Sequence, residues 1–239
     1  MPQTDRLPLP AATVFERMKL DARRGSVADA LAQVRTRETI LQTFRPLTES
    51  LEWELSALHW QRAGLMPFVE NDVPFLVNNS GFLSTHVAAV LFANCIENTP
   101  TGAIRMLEVG AGMGLFARYF LDAFKTICAQ EGRDFFDRLV YYVSDQSMQT
   151  VQQWRERNQF AAFDPGRVVL GTCDAVHPQN FLSVDGETIE LAGLRAVVCN
   201  YVLDVLPATV VRRAESGGGV VEELRVQTHL LDDKNTLSA

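Results

Sequence analysis

The segment Met106-Leu107-Glu108-Val109-Gly110-Ala111-Gly112-Met113-Gly114 constrains this chain more than any other. An apolar run from Ile104 to Val109, broken by Arg105, enters it and carries an acid near its end. Three glycines follow at alternate positions, and the apolar helical pattern Leu115 to Leu121 leaves them. A buried strand, a glycine turn and a helix start thus come in the order that a nucleotide-type ligand needs. Glycine permits positive φ in the turn and a close approach to the backbone. The helix start beyond offers free N–H groups and the positive end of a dipole. The dinucleotide fingerprint G-x-G-x-x-G needs its third glycine at position 115, where this chain has Leu115, and the third glycine falls one residue early at Gly114. That spacing disfavours an NAD-dependent oxidoreductase. The alternative is a tight turn with no ligand, for which three glycines cost more backbone entropy than the turn requires.

The chain has 239 residues, enough for one large domain or for one domain with a helical extension. It is 47% hydrophobic and 21% charged, the balance of an ordinary globular protein with a sizeable core. Its formal charge of −7 repels phosphate backbones, so no nucleic-acid partner is expected. The basic pairs Arg23-Arg24 and Arg212-Arg213 read as solvated surface. Cys95, Cys128, Cys173 and Cys199 are widely spaced with no C-x-x-C, and the histidines are scattered. No metal site and no disulfide framework are expected, and Cys199, in an apolar run, reads as a core residue. No apolar run approaches membrane-span length and no signal pattern opens the chain, so a reducing, cytoplasmic setting without membrane contact is expected.

Along the chain, residues 1–10 are Pro-rich, and from about Ala12 to Ala63 the pattern is helical. Ser26 to Asp29 has capping-box spacing. Apolar residues recur at Val27, Leu31, Val34, Ile40, Leu41 and Phe44, Pro46 interrupts, and a second amphipathic run follows from Leu51 to about Trp60. Residues 64–83 are rich in turn signals, and a helix from Thr85 to Cys95, apolar most of the way round, is expected to be buried. From Arg105 onward strands and helices alternate. Strands are predicted at 105–109, 139–145, 167–171 and 194–200, with helices at 115–130 and 148–157 between them. A short helix is predicted around 203–211, a turn at Gly217 to Gly219 and a β-rich run at 220–231. Such alternation implies parallel strands with crossover helices, and ligand residues at the carboxyl ends of the strands. The aromatic residues Trp53, Trp60, Phe68, Phe75 and Phe82 read as core rather than as a substrate platform.

Three further strand tips carry polar residues. Tyr142-Val143-Ser144-Asp145 ends in an acid that can accept hydrogen bonds from both hydroxyls of a ribose, or can cap the next helix. Gly171-Thr172-Cys173-Asp174-Ala175 follows the third strand, where Asp174 can also make an Asx turn. Asn200, Tyr201 and Asp204 follow the fourth, where Asn200 could instead cap a helix and Asp204 compensate its dipole.

The pattern acid-x-Gly-x-Gly-x-Gly, Glu108 to Gly114, resembles motif I of the class I S-adenosylmethionine (SAM) methyltransferases. The 171–175 loop resembles the Gly-Asp-Ala-type loop that holds adenine in that superfamily. Asn-x-x-x-Asp-x-Leu-Pro, Asn200 to Pro207, resembles the Asn-Glu-x-x-Asp-Ala-Leu-Pro motif of the MidA-type methyltransferases, which include the mitochondrial complex I assembly arginine methyltransferase. The likeness covers roughly residues 75–231. It departs at Tyr201, where the family has glutamate, and at Ala111, where it has proline; the first departure speaks against carboxylate recognition of a guanidinium.

The resemblance implies an α/β fold, a Rossmann-like class I methyltransferase sheet with an N-terminal helical cap. Residues 1–98 would form the cap or lid and 99–239 the SAM-binding domain. The cofactor would be SAM. Glu108, Gly110, Gly112 and Gly114 would hold its methionine portion, Asp145 the ribose and Asp174 with Ala175 the adenine; Ala111 and Gln146 would also bind the cofactor, and Asn200 would face the methyl donor. Tyr201 and Asp204 are the candidates for a general base. The acceptor would be a small molecule or a protein. Such sheets usually have seven strands, more than residues 201–239 can complete. A segment outside this chain, a partner chain or self-association is therefore expected to cover the sheet edge. The rival is a non-catalytic module of the same fold that binds or scaffolds within a larger enzyme or complex.

Overall fold

The computed structural model describes residues 38–70, 80–213 and 221–231. They fall into two compact units, one of residues 38–51 with 209–213 and 221–231, the other of residues 52–208. The helical pattern over 12–37, the capping box at Ser26, Phe75 and the turn at Gly217 lie outside the described residues.

In the first unit, β1 (Glu38–Pro46) pairs antiparallel with β10 (Arg225–Leu231), and β8 (Val211–Arg213) pairs with β9 (Val221–Glu223). The β1 segment corrects the helix expected through Ile40, Leu41 and Phe44. Its partner lies near the other end of the chain, so local periodicity carries no trace of the pairing. The β-rich expectation for 220–231 holds. The helix expected over 203–211 shrinks to a single 3-10 turn at Leu203–Val205, with Pro207 after it and β8 beyond.

The second unit holds α1 (Leu51–Ala63) from Glu52 onward, α2 (Met66–Val69), α3 (Phe82–Glu97), α4 (Leu115–Gln130), α5 (Met148–Glu156) and a six-stranded sheet. The strands are β2 (Ile104–Val109), β3 (Leu139–Asp145), β4 (Val168–Cys173), β5 (Asn180–Ser183), β6 (Thr188–Glu190) and β7 (Leu194–Cys199). Their order is β6-β5-β4-β3-β2-β7. β4, β3, β2 and β7 run parallel, and the antiparallel hairpin β5–β6 extends the edge beside β4. This is the mixed α/β, Rossmann-like arrangement expected. The hairpin was not predicted. It turns through Asp185-Gly186, with Gly186 at φ +88° and its N–H donated to the Ser183 carbonyl at 2.9 Å.

Both faces of the central strands are covered, as parallel strands require. Ile104 and Met106 face a core built with α3 and α4, while Leu107 and Val109 face a smaller cluster with Tyr142 and Phe181. Helix α4 buries Phe116, Ala117, Phe120, Leu121, Phe124 and Cys128, one stripe at helical spacing. Helix α3, which the sequence division at residue 98 grouped with the cap, packs on α4 in this unit through Ser84, Ala88, Leu91 and Cys95. It is not buried all round, because Phe82 and Val90 are 70% and 69% exposed. Cys199 is likewise exposed rather than core, as the last residue of the edge strand β7.

Strand order reverses beside β2: its chain neighbour β3 lies on one side and β7, reached after the hairpin, on the other. A crevice at the carboxyl ends of strands beside such a switch is where open α/β sheets bind ligands.

Candidate functional site

The glycine turn sits at the carboxyl end of β2, and Gly110, Gly112 and Gly114 all have positive φ, at 68°, 52° and 67°. Each is also packed by a protein side chain. A Cβ on Gly110 would lie 2.4 Å from Val202 Cγ2, one on Gly112 2.8 Å from Phe68 Cζ, and one on Gly114 2.5 Å from Gln159 Nε2. The turn is then strapped from several directions. The Ala111 N–H donates to the Ser144 carbonyl at 2.8 Å and the Gly114 N–H to the Ala111 carbonyl at 2.8 Å. Trp154 Nε1 donates to the Gly112 carbonyl at 2.9 Å, and Gln159 Nε2 to the Met113 carbonyl at 2.6 Å. No sequence signal marked Trp154 or Gln159 for this work. Trp154 is fully buried, so Trp154→Phe leaves a buried carbonyl unpaired and is expected to lower unfolding free energy by about 1–2 kcal/mol. Urea denaturation reads this, and an unchanged midpoint would refute the strap.

Asp145, at the tip of β3, faces the same turn. Its Oδ2 accepts the Gly112 N–H and its Oδ1 the Ser147 N–H, each at 3.0 Å. Burial pushes its carboxyl up, and the N–H groups of Ser147, Gly112 and Gln146 pull it back. The N-cap of α5 is Ser147 rather than Asp145; its Oγ accepts the Thr150 N–H at 3.3 Å. Asp174 follows β4 and makes the Asx turn weighed from the sequence, with Oδ1 accepting the Val176 N–H at 2.9 Å. Gly171, read as part of that loop, lies inside β4 instead, opposite Ser183. Tyr201, directly after Asn200 and past the tip of β7, is held at φ +55°, an uncommon conformation for a large side chain. Asp204 is the middle residue of the 3-10 turn, two residues after Val202.

These segments enclose one cavity of about 570 Å³. Gly110, Ala111 and Gly112 line it, as do Asp145, Gln146, Asp174, Ala175, Asn200, Tyr201 and Asp204. The structure thus brings together ten of the predicted site residues from four strand tips. Two stand apart from the lining. Gly114 is packed beneath Gln159 and Phe160. Glu108 is 4% exposed, and by the two-residue period of its strand it shares the face of Ile104 and Met106. Its Oε2 accepts the Tyr141 hydroxyl at 2.8 Å. Burial pushes its carboxyl up to about 8, the Tyr141 hydrogen bond opposes this and the charge of Asp145 adds to it. The Tyr141 phenol is pushed well above its usual range by burial and by Glu108. Both shifts favour the neutral forms of the pair.

The opposite wall comes from α1 and α2, through Trp53, Ser56, Ala57, Trp60 and Phe68. This corrects the reading of Trp53 and Trp60 as core, while Phe68 lines the cavity and also packs against the main core. The Trp60 and Phe68 rings lie 5.6 Å apart. The wall is anchored where the Leu65 N–H donates to Gln153 Oε1 of α5 at 3.1 Å. Among the described residues no group of three or more His, Cys, Asp or Glu side chains could hold a metal ion. No helix among them is long and apolar enough to cross a membrane.

No protein-family model matches the chain, and no curated protein matches it. Two solved structures from Burkholderia thailandensis are similar to it. One is an uncharacterized COG1565 superfamily protein, 20% identical, with a TM-score of 0.40 over 92% of this chain and 51% of that one. The other is a COG1565 superfamily member described as a suggested methyl transferase and bound to S-adenosyl-homocysteine. It is 19% identical, with a TM-score of 0.36 over 96% of this chain and 55% of that one. This chain therefore spans about half the length of those two structures.

Proposed function

We propose that this cavity binds SAM and that the chain is a SAM-dependent methyltransferase acting on a small-molecule or protein acceptor. One observation carries the reading: a glycine turn and two strand-tip carboxylates converge on a single cavity beside the switch in strand order. The cavity volume is in the range of cofactor sites. The donor set also fits. Asp145 is held by two backbone N–H groups and keeps a lone pair on each oxygen for a vicinal diol. Asp174 keeps Oδ2 for an exocyclic amine, with the Ala175 backbone beside it.

Bound SAM supplies a methyl group already activated by its positive sulfur. The chain's part is to align the acceptor with that group and to keep water out. The backbone of Gly110 and Gly112 lines the cavity on one side, and Trp53, Trp60 and Phe68 supply its apolar wall. Where an acceptor must lose a proton, the Asp204 carboxylate would receive it at the mouth of β7, with Tyr201 of the same tip as the second residue to test. Asn200 would orient the donor end from the same tip.

Calorimetric titration with SAM and S-adenosylhomocysteine tests the reading, with micromolar binding expected. Asp145→Ala should weaken SAM binding about 10- to 100-fold, the loss of charged hydrogen bonds to a diol. Asp145→Asn, which keeps one carbonyl for the backbone, should lose less. Unaltered affinity in both variants would remove Asp145 from the ligand site.

A further inference from the structure

We propose that the cavity is built to select a positively charged ligand, with Trp60 and Phe68 as the specificity-determining residues. It would then hold the sulfonium donor more tightly than the neutral thioether product. This rests on the SAM reading and goes beyond it. Among the described residues the lining contains the carboxylates of Asp145, Asp174 and Asp204, the imidazole of His177, and neither lysine nor arginine. Tyr201 lines the same cavity. Phe68 sits directly over Gly112, and Trp60 lies against it at 5.6 Å, so an aromatic pair roofs the glycine turn. Aromatic faces attract cations through their quadrupole, more strongly where water is excluded. Three acids add a field of the same preference. Donor and product share one shape except for a methyl group and one positive charge, so their affinity ratio reports this field. Loss of that charge at transfer would also speed exchange of the spent product.

The test is calorimetric titration of the whole chain with SAM, with S-adenosylhomocysteine and with sinefungin, whose ammonium replaces the sulfonium methyl. Wild type should bind SAM and sinefungin roughly tenfold more tightly than S-adenosylhomocysteine. Phe68→Leu should bring that ratio close to one, and Phe68→Tyr should preserve the ratio. Trp60→Leu provides the same readout should Phe68→Leu fail to fold. Equal binding of all three ligands by wild type would overturn the inference and leave the SAM reading standing. So would a leucine variant that weakens all three alike. No binding of any of them by wild type would overturn both.

Discussion

Replacing Glu108 by glutamine is expected to flatten the dependence of stability on pH. In the native chain the Glu108 carboxyl keeps its proton up to about pH 8, against an ordinary value of 4.5. Between those values the folded protein binds a proton that the unfolded chain has released. Wild-type stability therefore falls as pH rises through this window, by up to about 1.4 kcal/mol per pH unit. Below the window both states are protonated and above it both are ionised, so the contribution is level at either end. Glutamine can still accept the Tyr141 hydroxyl but does not titrate. Relative to wild type, the variant should gain stability steadily from pH 5 to about pH 8 and level off above it. Urea midpoints at four pH values decide the matter, and parallel curves for the two proteins would refute a buried neutral Glu108. The same variant separates two roles. If Glu108 held the ligand from the turn, the substitution would weaken SAM binding; its position away from the cavity predicts unchanged affinity.

Gly171→Ala is expected to destabilise the second unit by about 3 kcal/mol, which corresponds to roughly 10 °C in melting temperature. The backbone at Gly171 lies outside the left-handed region, so conformational freedom is not the issue. The added methyl would lie 2.3 Å from the Leu182 carbonyl oxygen and 2.4 Å from Phe181 Cε1. The first is backbone in the paired strand β5, and the second belongs to a fully buried ring packed 5.3 Å from Tyr142. Neither can move without parting β4 from β5. Gly102→Ala, with nothing within 4 Å of the new atom, serves as the control and should be near neutral. Equal melting temperatures for the two variants would show that the hairpin gives way freely.

How much could be read beforehand depended on whether the signal was local. The run from Ile104 through the glycines to Gln130 declares strand, turn and helix by period and composition alone, and the structure places β2 and α4 there. Asp145 and Asp174 could be placed at strand tips because they end apolar runs. Glu108 could not be placed correctly. In a strand buried on both faces, alternation carries no inside-outside contrast, and an acid beside a glycine turn looks the same whether it faces ligand or core. Trp53, Trp60 and Phe68 present a similar ambiguity. A helix face that borders a cavity has the periodicity of one that borders a core. β1 needed a partner that no window of sequence contains, whereas the β5–β6 hairpin is local and its signal is the Asp185-Gly186 turn.

The packing of Val202, Phe68 and Gln159 on the three turn glycines changes what that spacing means as a signature. The glycines are demanded by neighbouring side chains of the protein itself. A descendant that had abandoned its ligand would be held to the same three glycines by folding alone, while its strand-tip carboxylates drifted freely. In a lineage of such chains, persistence of the glycines would record an intact scaffold, and persistence of Asp145 and Asp174 would record a ligand still in use.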